Sequence, residues 1–185
     1  FSGLFGIYEI PYFIGVFLTI FVFIVLINAF NLIDGIDGLA SGIGIVISLC
    51  FVYIFYRIFD YGIGILAVST LAVLIGFGRY NLSKKFKIFM GDTGSLTLGG
   101  VLATVAIFLK QELLLAIVGI VFVIEALSVI IQVWSFKKRG KRVFAMAPIH
   151  HHFELQGMPE TKVTARFWII TLMFAILGIL ILKLR

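Results

Sequence analysis

Three short stretches of this chain gather the residue types that bind and move charged groups. The first reads Asn28-Ala29-Phe30-Asn31-Leu32-Ile33-Asp34-Gly35-Ile36-Asp37-Gly38-Leu39 and contains no Lys or Arg. Helix capping accounts for one Asp and one Gly, but two amides and two acids crowded at the end of an apolar run point to ligand binding. The second reads Phe89-Met90-Gly91-Asp92-Thr93-Gly94-Ser95. Glycines on both sides of Asp92 let the backbone approach a ligand. Thr93 or Ser95 can cap the following helix, whose N-terminus attracts anions. An acid beside a phosphate needs a cation between them, which suggests Mg²⁺, typically held by one or two carboxylates plus substrate oxygens. The plainer alternative makes Asp92 the N-cap of that helix. The third stretch, Met146–Glu154, holds His150, His151 and His152 in a row. Zinc ligands usually come spaced and a thiol is absent nearby, so phosphate binding or proton transfer suits these residues better. They follow the basic run Lys137–Arg142, which taken alone is an anchor for anionic headgroups. Glu125 lies inside an apolar block, with Ser128 and Gln132 near the same helix face. It is either a functional carboxylate or an interhelical hydrogen-bonding group.

The elements that must position these residues follow from composition. Of 185 residues, 62% are hydrophobic and 13% charged, and the mean hydropathy is +1.18. Soluble domains are roughly half apolar and a quarter charged. Solid apolar blocks, rather than alternating residues, exclude a transmembrane barrel. The expected fold is all-α, a polytopic bundle with spans near Tyr12–Ile27, Ile43–Phe59, Ile63–Phe77, Leu96–Leu109, Leu113–Val133 and Phe167–Leu182, the third and fourth being short. One membrane domain, 1–185, is expected. Three polar connections, Asn28–Gly42, Gly78–Ser95 and Ser135–Arg166, then share one side of the bilayer, with minimal turns near Asp60 and Gln111 on the other. The second and third connections carry all the Lys and Arg except Arg57, Lys110, Lys183 and Arg185. That asymmetry places the polar connections in the cytoplasm. Cys50, the single cysteine, is read as a packing residue. The chain opens on Phe1 with no basic region and cleavage site, and is expected to be the C-terminal part of a longer protein.

Acids, amides, glycines and histidines converging on one membrane face, amid basic charge, suit an anionic phosphorylated substrate. A bilayer surface suits one soluble and one lipid reactant. Nothing in the pattern calls for nucleic acid.

At these motifs the chain resembles the polyprenyl-phosphate sugar-1-phosphate transferases, and their phospho-N-acetylmuramoyl-pentapeptide branch most closely. Asn28–Leu39, Phe89–Ser95 and Ala147–Glu154 match three family motifs in order and spacing, and Pro148-Ile149-His150-His151-His152 is specific to that branch. The resemblance implies transfer from UDP-N-acetylmuramoyl-pentapeptide to undecaprenyl phosphate, with release of UMP, in a bacterial inner membrane. It implies that Asp92 holds Mg²⁺, with Asp34 beside it as a second acid, either near the metal or as an organiser. Asn28, Asn31, Gly35, Ile36 and Asp37 would bind the nucleotide sugar, with Phe89 stacked on uracil. His150 and His151 would meet the sugar and phosphates, with His152 beside them. A homodimer among membrane lipids is the family habit. Two departures stand out. The family's Asp-Asp pair is absent and is expected upstream of Phe1, so the chain alone is expected to be inactive. Leu82–Lys87 is more basic than the family pattern, which leaves Asn81 unassigned. Rival readings are a sister transferase using UDP-N-acetylglucosamine and an ion-coupled transporter.

Overall fold

The structure, a computed structural model, describes residues 10–58 and 61–183. Pro11 has no N–H to leave unpaired and stands at the N-cap of the first helix. From there the apolar sequence winds into α1 (Tyr12–Ile33), α2 (Leu39–Ile58), α3 (Tyr61–Asn81) and α4 (Gly91–Phe108). The chain continues as α5 (Glu112–Val118), α6 (Ile120–Arg139), α7 (Ile149–Leu155) and α8 (Glu160–Lys183). Six of these, α1, α2, α3, α4, α6 and α8, are long and apolar enough to cross a membrane. Helices are the open-ended way to satisfy every backbone group in hydrocarbon. The molecule is thus the expected all-α polytopic bundle.

Burial ranks the spans. In α2, 61% of the apolar window is buried, against 17% in α1 and 22% in α3 and α8. α2 is therefore the central post, packed on α3, α8 and α4, while α1 packs mainly on α4. Small residues set the close approaches, as in membrane bundles generally. A β-carbon on Gly99 of α4 would lie 2.8 Å from Ile27 Cα. Phe30 of α1 meets Phe122 of α6, with ring centroids 5.4 Å apart.

The helices overrun the expected spans in ways that change the site. α1 continues past Ile27 because Asn28 donates its amide to the Ile24 carbonyl, 2.7 Å away. The polar side chain is satisfied within the helix and does not end it. The first connection accordingly shrinks from Asn28–Gly42 to Asp34–Gly38. α3 runs to Asn81 and α4 starts at Gly91, so neither is short. Met90, not Asp92, Thr93 or Ser95, stands at the N-cap of α4, without a side-chain cap bond. The fifth span is broken at Gly119 into α5 and α6, where the Phe122 ring fills the space a β-carbon would need. The histidines sit on α7, and α8 begins at Glu160, seven residues ahead of Phe167. The turn near Asp60 lies outside the described residues.

Candidate functional site

The Asp34–Gly38 turn is the centre of the polar end. Gly38 takes φ +77°, a left-handed conformation that favours glycine. Its N–H donates to Asn81 Oδ1 at 2.8 Å, and the Ser41 hydroxyl reaches the same oxygen at 3.3 Å. Asn81 Nδ2 in turn donates to the Ile88 carbonyl at 3.0 Å. From α8, Thr164 Oγ1 donates to the Asp37 carbonyl at 3.0 Å and Trp168 Nε1 to the Gly38 carbonyl at 2.9 Å. Gly42 leaves room for the Trp168 ring. Two helices distant in sequence thereby fix the backbone of a five-residue turn.

That turn faces the start of α4 across a cavity of about 200 Å³, lined by Asp34, Gly35, Ile36, Asp37, Asn81, Phe89, Met90, Gly91 and Asp92. Burial pushes the Asp34 carboxyl up to about 6, and the negative charges of Asp92 and Asp37 add to the shift. A hydrogen bond from the Gly91 backbone N–H works the other way. Asn31, on the last turn of α1, donates to Asp92 Oδ1 at 3.1 Å and to Ser95 Oγ at 3.0 Å. Asp37 pairs with Lys87, Nζ to Oδ2 2.5 Å. Lys87 also lies 4.8 Å over the Phe89 ring. That ring is 71% exposed, which leaves it open to a planar partner.

The α7 histidines divide their tasks. His150 is fully buried beneath Gly35, where an added β-carbon would overlap its Nε2 and lie 3.3 Å from His151 Nε2. His151 is partly exposed and pairs with Glu154, Nδ1 to Oε2 2.6 Å. His152 faces elsewhere. Its Nδ1 accepts the Ala145 N–H at 3.1 Å, and its Nε2 meets Gln156 Nε2 at 3.1 Å. Gln132 clamps the same segment, accepting the Val143 and Phe144 N–H groups at 3.0 and 2.9 Å.

The fold thus gathers Asn31, Asp34, Gly35, Ile36, Asp37, Phe89, Asp92, His150 and His151 at one end of the bundle. It leaves Asn28 one turn back along α1 and turns His152 toward the 143–146 segment. Asn81, Lys87, Thr164 and Trp168 are the contributors not assigned from sequence.

Among the described residues, no three or more His, Cys, Asp or Glu side chains enclose a metal by themselves. The chemistry at Asp34 nevertheless fits a hard divalent ion, since a desolvated carboxyl raised by a neighbouring acid is relieved by positive charge. One or two carboxylates are the usual protein share of a magnesium site that substrate phosphate completes.

Comparison with known proteins agrees with the motifs. The chain is 50% identical to the phospho-N-acetylmuramoyl-pentapeptide-transferase of Fusobacterium nucleatum, covering 95% of this chain and 54% of that protein. It is 48% identical to the Clostridium botulinum protein of that name, covering 96% of this chain and 52% of the relative. The Staphylococcus aureus protein is 50% identical over 82% of this chain and 47% of the relative. The chain spans about half the length of the curated relatives it matches. The family model described as Glycosyl transferase family 4 matches residues 1–110, more than half of the sequence, and the chain belongs to that family.

Proposed function

We propose that the chain is the C-terminal, nucleotide-binding part of a bacterial membrane enzyme that moves phospho-N-acetylmuramoyl-pentapeptide from its UDP donor to undecaprenyl phosphate. A phosphate oxygen of the lipid attacks the sugar-bearing phosphorus, the bond to the UMP oxygen breaks, and UMP leaves. One phosphoanhydride replaces another, so positioning and charge neutralisation are the main tasks. The observation that carries this reading is one cavity at the end of a membrane bundle lined by Asp34, Asp37, Asp92 and Phe89, with His150 and His151 packed behind its Gly35 wall.

Asp34 and Asp92 would hold Mg²⁺, which when bound neutralises the diphosphate. Asn31 keeps Asp92 oriented. Asp37, Gly35 and Ile36 line the nucleoside side, Phe89 stacks on uracil, and His151 reaches the phosphates. Asn81 and Trp168 hold the turn, and His152 and Gln132 hold the segment leading into α7. The asymmetry of Lys and Arg supports a site on the cytoplasmic face of the cell membrane. A homodimer is the expected state.

The test expresses the gene from its start codon in membranes. UMP release is then measured with undecaprenyl phosphate, with and without Mg²⁺, offering UDP-N-acetylmuramoyl-pentapeptide or UDP-N-acetylglucosamine. Mg²⁺-dependent release with the pentapeptide donor alone is expected. Release with the N-acetylglucosamine donor would move the chain to a sister branch, and none with either, from folded protein, would end the transferase reading.

A further inference from the structure

Glu125 and His150 form a buried pair that the site description leaves without a task. Glu125 lies in the second turn of α6 and His150 in the first turn of α7, and both side chains are 0% exposed. Glu125 Oε2 is 3.2 Å from His150 Nδ1 and accepts the His150 backbone N–H at 3.4 Å. Among the described residues, Glu125 Oε1 and His150 Nε2 have no hydrogen-bond partner, and the Nδ1 contact is not an aligned bond. The Nε2 edge of the ring sits directly under Gly35, next to the acid proposed to hold the metal.

A buried carboxylate left without a donor is strongly disfavoured. The donors in reach are the His150 backbone N–H and a proton on Nδ1. Placing the imidazole proton on Nε2 instead would press a donor against Gly35 with nothing to accept it, and a buried orphan donor is rarer than an under-used acceptor. Both considerations select one tautomer. Carboxylates set histidine tautomer and ring orientation in this way at many sites.

We propose that Glu125 is a positioning residue. It holds His150 as the Nδ1–H tautomer and seats the bare Nε2 edge against Gly35, so that a carboxylate in α6 sets where the Asp34–Asp37 turn stands in the cavity. The functional consequence rests on the assignment of Asp34 to the metal. The tautomer does not.

The test uses the full-length protein, ¹⁵N-labelled at histidine, with His150 assigned by its loss in His150→Gln. Glu125→Met removes the acceptor at similar volume, a change that buried ionic sites often tolerate. Glu125→Gln keeps an acceptor oxygen. The wild type should show His150 protonated at Nδ1, Glu125→Gln should keep that signature, and Glu125→Met should lose it. In parallel, kcat should fall about 10- to 100-fold in Glu125→Met, with donor KM within about twofold and most of kcat restored in Glu125→Gln. Gly35→Ala, which pushes on Nε2 from the opposite side, should lower kcat as well, and combined with Glu125→Met should add little, because both act on one ring. An unchanged His150 signature in Glu125→Met, full activity in that variant, or strict additivity with Gly35→Ala would overturn the proposal. Loss of the His150 signature in Glu125→Met, when the wild-type protein itself releases no UMP, would support the pair and overturn the transferase reading.

Discussion

Asp34 and Asp92 lie across one cavity, yet the segments that carry them are held in opposite ways. The Asp34–Gly38 turn is tied by side chains of Asn81, Thr164 and Trp168, and rests on His150 from below. The segment before Asp92 is tied back mainly by Asn81 Nδ2 at Ile88, and carries Phe86, Ile88 and Phe89 at 66%, 49% and 71% exposure. One wall is prebuilt and the other is open. A site of this kind holds its charge-bearing acid in place before a ligand arrives and leaves an exposed ring free to meet a planar partner. Preorganised charge is where electrostatic catalysis draws its strength, whereas an exposed ring contributes only on contact.

The sharpest way to break this comparison is Asp92→Asn. Asp92 is exposed and belongs to the open wall, so folding should be unchanged within about 0.5 kcal/mol. Loss of the proposed metal ligand should cost several kcal/mol in the transition state, roughly a thousandfold in kcat. UMP release and thermal unfolding in detergent separate the two effects, and a comparable fall in stability would mean that the open wall is structural.

Asn81→Ala attacks the prebuilt wall. It leaves the Gly38 N–H and the Ile88 carbonyl without partners, which should cost about 1–3 kcal/mol of stability. A change below about 0.5 kcal/mol in equilibrium unfolding would show that the turn is held by α8 alone.

Asp34 supplies a pH test. Its folded value of about 6 exceeds the ordinary 3.8, so between these values the native state binds more protons than the unfolded chain. Ionising Asp34 therefore costs stability. The cost is absent below about pH 4 and fully present above about pH 6. Asp34→Asn escapes it. Without divalent cations, the variant's stability relative to wild type should improve from pH 4 to pH 7.5. The gain should be no more than about 1 kcal/mol for a partly buried group that solvent still screens. A pH-independent difference would remove burial as the cause.

Lys87→Ala should matter least to folding. Its pair with Asp37 is 38% and 28% exposed at the two side chains, and such pairs are worth about 0–1 kcal/mol. Its place over Phe89 makes donor KM the measurement to watch, and an unfolding shift above about 1 kcal/mol would move Lys87 to the braced wall.

Much of this was legible from residue order. Uninterrupted apolar blocks dictated a membrane bundle, because a helix closes its own backbone hydrogen bonds wherever the side chains are apolar. Acids, amides and glycines marked Asp34, Asp37 and Asp92 because such residues are costly near hydrocarbon without a purpose. The helix ends were misjudged because Asn28 and Asn81 read as loop residues. Asn28 satisfies its amide one turn back within its own helix, and Asn81 reaches across to another element. Only the tertiary structure decided that Trp168 and Thr164 brace a turn well over a hundred residues away, that His152 faces the 143–146 segment, and that Glu125 meets His150. Consecutive residues on a helix point about 100° apart, so three adjacent histidines are chemically alike in sequence. Packing alone determines which one lies beneath the site.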